Sequence, residues 1–279
     1  MIHNINRRKF IELLGCGCCG LLLPSCTTVP ITNRRQLSIY SEATINNQAS
    51  NAYEKFRSKA KLITSGKELE TIKEIGKRIE FAVSTFFLNT DGKDPTSNFQ
   101  WDYILVDNDK VKNAWCMPGG KIAIYTGILK VTINDNALAA VMGHEIAHAV
   151  AKHSIERASQ ALTVNLGTQV ADIFLGGVIN RTRNSVGQAS GMDILQLGIF
   201  NPFGRQQETE ADYLGLIFAS LAGYDIRESV KLWERMAESK KGKEPPQFLS
   251  THPSSQNRIK NLNNWITEVI VKYPPIKRT

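Results

Sequence analysis

Residues 144–148 read His-Glu-Ile-Ala-His, and residues 208–212 read Glu-Thr-Glu-Ala-Asp. On a helix, positions i and i+4 lie on one face, so His144 and His148 can aim two imidazoles at one metal ion. Glu145 is one step round the helix from His144, close enough to reach a water molecule at that ion. A catalytic zinc takes three protein ligands, so the pattern predicts one Zn²⁺ per chain and a third, acidic ligand from elsewhere.

The second motif offers that third ligand. If residues 205–222 form a helix, Glu208 and Asp212 share one face at i, i+4, whereas Glu210 points nearly the opposite way. Glu208 is therefore predicted to bind the metal, and Asp212 to accept a hydrogen bond from a ligand histidine, which orients the ring and raises its basicity. Glu210 has Leu214 rather than an acid at i+4, which makes it the weaker candidate for the third ligand.

The surroundings of the first motif distinguish a metal site from a chance match on a surface helix. Residues 137–143 are almost entirely apolar, and small apolar residues continue within and after the motif. A helix that is apolar nearly all round is buried, and buried histidine and glutamate side chains need partners. We predict one helix over residues 135–159, with His153 as a polar partner rather than a ligand.

The N-terminus resembles an export signal. Residues 7–9 are basic and residues 11–23 are apolar, but this run is shorter than the roughly 20 residues that a membrane-spanning helix needs. The signal is predicted to occupy residues 1–25, because residues 23–26 (Leu-Pro-Ser-Cys) look like a bacterial lipobox. That resemblance implies cleavage before Cys26 and lipid attachment to it; a cysteine-rich core segment is the alternative. Both twin-arginine and general secretory export stay open.

Composition limits the class of protein. The chain has 279 residues, a formal net charge of +8 and five cysteines, of which Cys116 alone lies beyond residue 26. A single cysteine cannot form an internal disulfide, so the fold relies on its core, for which the length is sufficient. The charge favours anionic lipid or acidic partners. Nucleic acid is not an expected partner, because no basic stripe alternates with aromatic residues.

The chain divides into a tether and one domain. Residues 26–48 are polar and predict a flexible tether, and residues 49–279 predict the catalytic domain. Apolar residues recur at helical or alternating spacing in the domain. Helices are predicted over residues 52–63, 68–88, 226–238 and 254–271, and strands over residues 101–106, 111–116 and 121–125.

Two segments of the domain could contact a substrate. Residues 113–125 are the candidate sheet edge for an extended peptide that binds as an added strand, although an ordinary hairpin fits the pattern equally well. Residues 176–204 are rich in Gly, Asn and Ser and could form an active-site lid, or a short packed helix between linkers.

Four stretches together resemble one family of peptidases. They are His144–His148, Glu208–Asp212, Met117–Gly127 and Thr251–Ser254. The combination looks like the gluzincin metallopeptidases related to the CAAX prenyl protease, HtpX and the mitochondrial Oma-type proteases. Within that group it is most similar to soluble bacterial lipoprotein members (BepA-like) without helical repeats. The resemblance covers about residues 40–270 and implies an α+β, mostly helical zincin-type domain with a small β-sheet beside the HExxH helix.

The resemblance also implies roles for individual residues. It assigns zinc binding to His144, His148 and Glu208. Glu145 would be the general base and Asp212 the partner of a ligand histidine. His252 would approach the metal and either stabilise the oxyanion or restrain the water position. Arg258 would contact the transition state or substrate. Spacing alone indicates nothing about these last two residues.

The expected function is a zinc-dependent endopeptidase, anchored by lipid in a bacterial envelope, that degrades misfolded or misassembled envelope proteins. The alternative is a chaperone-like outer-membrane assembly factor with restrained proteolysis, which would contact the assembly machinery. Hydrolysis of a small molecule fits the predicted edge strand less well. Thr27 after Cys26 is not an inner-membrane retention signal, so the periplasmic face of the outer membrane is the expected location.

Overall fold

A computed structural model describes residues 26–174, 203–239, 247–252 and 256–277. Its helices are α1 (Glu42–Arg57), α2 (Lys67–Asp91), α3 (Thr126–Thr132), α4 (Asp135–Val150), α5 (His153–Phe174), α6 (Arg205–Leu221), α7 (Glu228–Ser239), α8 (Phe248–Thr251) and α9 (Gln256–Lys272). Its strands are β1 (Cys26–Thr28), β2 (Arg35–Leu37), β3 (Leu62–Ile63), β4 (Asp102–Val106), β5 (Ala114–Met117) and β6 (Lys121–Tyr125). The fold is mostly helical with small sheets, as predicted. The predicted signal peptide and residues 176–202 of the predicted lid lie outside the described residues.

The main sheet has the strand order β3-β4-β6-β5. β4 and β6 are parallel, whereas β3 and β5 each run antiparallel to their neighbours. The strand order places β5 at an edge of the sheet. The predicted strand over residues 121–125 is confirmed. The predicted strand over residues 111–116 is displaced to Ala114–Met117. The sheet lies beside α4, which contacts β5.

The pleat of the sheet divides its side chains between two apolar layers. Successive residues of a strand point to opposite faces. On β6, Ala123 packs with Tyr53 of α1 on one face, whereas Ile122 and Ile124 belong to the larger core, which includes residues of α2–α4 and α6–α9. The sheet is therefore a middle layer, and the helix with the HExxH motif lies on the face that packs against the larger core.

The helix with the HExxH motif is shorter than predicted. The predicted helix over residues 135–159 is wrong, because α4 ends at Val150 and a second helix starts at His153. Lys152 between them has φ = 57°, a left-handed conformation that ends a right-handed helix. The break places His153 beside α4, where its ring reaches back to His148.

Two glycines allow α4 and α6 to approach closely. A Cβ atom on Gly215 of α6 would lie 2.9 Å from the backbone nitrogen of His144, and one on Gly143 would lie 2.8 Å from the Gly215 carbonyl oxygen. These distances are shorter than a carbon atom tolerates, so only glycine permits this helix crossing. The crossing brings the two motifs together, because Gly143 precedes His144 and Gly215 follows Asp212 by three residues.

We expect Gly215→Ala to force the two helices apart and to lower the free energy of unfolding by about 1–3 kcal/mol, the range for an overpacked core. Chemical denaturation measures this effect. Gly204→Ala is the matched control, because a Cβ there would meet only Gln207 Oε1 at 3.8 Å, an ordinary contact. Equal stability of the two variants would contradict the close crossing.

The structure differs from the predicted tether. Residues 26–48 contain β1, β2 and the start of α1, so ordered structure begins before residue 49. Val29 is fully buried and Gln36 is 4% exposed. Arg34 forms ion pairs with Glu156 of α5 and Glu210 of α6. Some of the polar side chains of this segment therefore contact the helices rather than solvent. In the part of the chain that the structure describes, no helix is long and apolar enough to span a bilayer.

Candidate metal centre and active site

Two imidazoles from α4 face each other inside the protein. His144 and His148 are one helical turn apart and are 3% and 2% exposed. Their Nε2 atoms lie only 3.1 Å apart. The sequence spacing placed both rings on one face, and the buried position of α4 excludes solvent from them.

Glu208 of α6 completes the set. Its Oε1 lies 3.4 Å from His148 Nε2 and its Oε2 lies 3.6 Å from His144 Nε2. Burial alone would raise the pKa of this carboxyl, but the charge of His252 and hydrogen bonds from His148 and His252 hold it well below its usual range. A carboxylate and two imidazoles are a donor set that catalytic zinc accepts. The residues present therefore fit a zinc ion.

Asp212 orients one of these rings. Its Oδ1 lies 3.1 Å from His144 Nδ1, which leaves His144 Nε2 directed at the ligand cluster. Arg258 of α9 donates to both Asp212 oxygens, at 2.7 and 2.6 Å, and to Glu208 Oε2 at 2.7 Å. Burial alone would raise the pKa of Asp212, but the Arg258 guanidinium and the His144 ring lower it. A carboxylate fixed in this way keeps the ring of the neighbouring ligand histidine in place.

The position of Arg258 differs from its expected contact with substrate or transition state. The residue is 4% exposed, its guanidinium lies 3.7 Å from the centroid of the Trp233 ring, and the carboxylates of Asp212 and Glu208 accept its N–H groups. This geometry favours a positioning function for Arg258.

Glu145 lies where a general base is needed. It is 2% exposed, and burial raises the pKa of its carboxyl. The charges of His252 and His144 and the backbone of Cys116, on the edge strand β5, act on this pKa in the opposite direction. Among the described residues, Glu145 Oε1 has no hydrogen-bond partner, and it lies 3.3 Å from His252 Nε2. The base therefore sits between the edge strand and the ligand cluster with one oxygen able to accept a proton.

His252 is brought to the cluster by the short helix α8. It is 2% exposed, and its Nδ1 lies 2.9 Å from Glu208 Oε1 and 3.2 Å from His144 Nε2. Burial lowers the pKa of this ring, but the charges of Glu145 and Glu208 raise it by more than burial lowers it, so the pKa lies above its usual value. His144, His148, Glu208 and His252 each offer one ligand atom, all within 4.8 Å of one another. The structure thus brings His252 into the metal centre as a possible fourth ligand.

A small cavity adjoins Glu145 and the edge strand. Its lining includes Asn113, Ala114, Glu145, Phe203 and His252. The predicted edge over residues 113–125 is confirmed only for the β5 part, because β6 lies inside the sheet between β4 and β5. An extended peptide could pair with β5 and place its backbone beside the base.

Three contributors were not identified from sequence. The Phe203 ring stacks on His148 with centroids 3.9 Å apart, and Arg34 and Thr32 bind Glu210. No local signal marks Phe203 or Arg34, since each acts on residues distant in sequence. The predicted polar function of His153 is confirmed: it contacts both His148 and Glu210.

Two imidazoles and a carboxylate on crossing helices, with a buried glutamate one position after the first histidine, define a zinc metalloendopeptidase of the gluzincin class. The chain belongs to peptidase family M48, whose family model matches residues 85–266.

Known relatives agree with this assignment. The chain is 35% identical to the mitochondrial metalloendopeptidase OMA1 of Schizosaccharomyces pombe, over 88% of this chain and 67% of that protein. It is 30% identical to metalloendopeptidase OMA1 of Danio rerio, over 86% of this chain and 50% of that protein. A β-barrel assembly-enhancing protease of Yersinia pestis is 27% identical, over 64% of this chain and 38% of that protein. The chain thus spans between about two fifths and two thirds of the length of these relatives.

Proposed function

We propose that this zinc metalloendopeptidase is held at a membrane of the bacterial envelope by lipid on Cys26 and cleaves misfolded or misassembled envelope proteins. The observation that carries the catalytic part is Glu145, a buried carboxylate between an edge strand and the ligand cluster, one oxygen of which accepts no hydrogen bond from the residues that the structure describes. Cys26 is exposed at the start of β1, which supports its modification. The name of the Yersinia relative supports an envelope function, whereas the OMA1 relatives are named as mitochondrial.

In the proposed mechanism, β5 holds an extended substrate by backbone hydrogen bonds, so that the scissile bond lies beside Glu145. Zinc, when bound by His144, His148 and Glu208, would supply a Lewis acid that polarises the scissile carbonyl and lowers the pKa of the attacking water, so that a base can deprotonate it. Glu145 Oε1 takes the proton from the attacking water and passes it to the leaving amine nitrogen. An N–H of His252 donates to the carbonyl oxygen as negative charge develops there. Asp212 and Arg258 keep His144 and Glu208 in place.

The catalytic proposal is tested by digestion of casein, an unfolded protein, with and without a chelator. We expect degradation that stops on chelation and returns when zinc is added back. Full zinc occupancy without degradation of casein would contradict a constitutive endopeptidase.

One observation favours the second candidate function, an outer-membrane assembly factor with restrained proteolysis. His252 lies within the ligand cluster, 3.2 Å from His144 Nε2, where it can compete with a water molecule for the metal. His252→Ala separates the two candidates in the casein assay. A slower variant supports oxyanion stabilisation by His252, whereas a faster variant supports restraint.

Attachment and location need a separate test. We expect lipid labelling of the full chain in bacterial cells, and its loss in Cys26→Ala. We also expect sedimentation with outer-membrane vesicles, because Thr27 is not a retention signal. Cys116→Ala is the control, because that buried thiol lies in β5 and is not a lipidation site. An unlabelled wild-type chain would contradict the anchor without affecting the peptidase.

A further inference from the structure

The middle glutamate of the second motif faces away from the metal but is not a surface residue. Glu210 is 6% exposed. Its Oε2 accepts a hydrogen bond from Arg34 Nε at 2.7 Å and lies 3.0 Å from His153 Nε2, while the Thr32 hydroxyl donates to its Oε1. Burying a carboxylate costs desolvation free energy, which its three partners, from two distant parts of the chain, must offset. This arrangement indicates a function beyond packing.

His153 connects this carboxylate to a zinc ligand. Its ring is completely buried, and its Nδ1 lies 2.9 Å from His148 Nδ1. The positions of the protons follow from the metal. If His148 presents its Nε2 lone pair to zinc, its neutral ring carries the proton on Nδ1 and donates it to His153 Nδ1. His153 then carries its own proton on Nε2 and donates it to Glu210.

The two ligand histidines are consequently supported in parallel ways. His144 directs its Nδ1 at Asp212, which Arg258 holds. His148 directs its Nδ1 at His153, which reaches Glu210, which Arg34 holds. Each line of contacts runs from ligand ring to carboxylate to arginine, but the second contains one additional imidazole. Carboxylates that accept from ligand histidines fix the ring and its tautomer.

We propose that Arg34 is a positioning residue for zinc, acting through Glu210 and His153 on His148. This inference rests on the zinc site described above and extends it to the segment between β1 and β2, 176 residues before Glu210. Arg34 also donates two hydrogen bonds to Glu156 of α5, at 2.7 and 2.8 Å. It therefore fixes Glu210 relative to the helix that begins with His153. The N-terminal segment is part of the metal site rather than a spacer.

The test is zinc affinity of the full chain, measured by competition with a chromophoric chelator. We expect Arg34→Met to bind zinc roughly 10-fold more weakly, at the lower end of the range for groups that support metal ligands. Arg57→Met is the matched control, because Arg57 also pairs with a carboxylate, Asp102, at 2.8 Å but belongs to α1 on the opposite face of the sheet. We expect its affinity to equal that of the wild type.

A spectroscopic signal distinguishes positioning from simple stabilisation of the fold. In the zinc-loaded wild type, the His148 Nδ1 proton should give a slowly exchanging proton resonance that broadens in Arg34→Met. Arg34→Lys keeps the charge but replaces the three nitrogens of the planar guanidinium with one, so it cannot reproduce the contacts with both Glu210 and Glu156, and its affinity should be intermediate. It serves as the measurement if Arg34→Met does not fold. Unchanged zinc affinity in both variants, with lower melting temperatures, would contradict the positioning function of Arg34 and leave the zinc site itself unaffected. A wild-type chain that binds no zinc would overturn the metal site as well.

Discussion

Glu145→Gln should reduce peptide hydrolysis by about 10²- to 10⁴-fold, the contribution of a well-placed general base, while the chain still binds one zinc. Glutamine has nearly the same shape as glutamate but cannot accept the proton from the attacking water. The carboxyl is buried and its pKa is raised by that burial, so a neutral amide at this position should not destabilise the fold. Casein turnover and zinc content, measured on the same preparation, give the two readouts.

Glu68→Gln is the control for this experiment, because Glu68 is exposed on α2, away from the ligand cluster. It should keep wild-type turnover. If Glu145→Gln lost its zinc, Glu145 would act on the metal rather than on the proton. If it kept full activity, another group would be the base.

Glu208→Ala should lose more zinc affinity than Glu210→Ala. Glu208 places both oxygens within 3.6 Å of the ligand nitrogens, whereas Glu210 reaches the metal only through His153 and His148. Loss of a direct ligand should exceed the roughly 10- to 100-fold cost of changing a supporting group, so we expect more than about 100-fold for Glu208→Ala. Chelator competition measures both variants under the same conditions.

Removal of Glu208 also leaves the buried Arg258 with one carboxylate fewer, which could disturb the fold. Glu208→Gln is therefore the companion variant, since it keeps the volume and one oxygen while removing the charge. A larger loss of zinc affinity in Glu210→Ala than in either Glu208 variant would identify Glu210 as the third ligand and contradict the account.

Local periodicity explains which parts of the site were accessible from the sequence. His144 and His148, and likewise Glu208 and Asp212, are four residues apart on helices, and this spacing fixes which side chains share a face. The β6 strand is likewise predictable from neighbouring residues alone, because the side chains of Lys121–Tyr125 alternate between the two faces of the sheet. These elements needed no knowledge of distant residues.

The remaining features depend on contacts between distant segments. Arg34 binds Glu210, 176 residues away, and a polar segment with no helical or alternating pattern gives no sign of that contact. The helix break at Lys152 was not predicted, because the surrounding alanine-rich sequence favours a continuous helix. Family resemblance indicated His252, but only the structure placed its ring 2.9 Å from Glu208. The glycine contact between α4 and α6 is also invisible until both helices are positioned.

The most direct test of the central claim is zinc stoichiometry combined with X-ray absorption spectroscopy on the purified full chain. The account predicts one zinc per chain, coordinated by nitrogen and oxygen at about 2.0–2.2 Å. Glu208→Gln should lower the occupancy. Absence of stoichiometric zinc, or coordination by sulfur at about 2.3 Å, would contradict a centre built from two histidines and a glutamate.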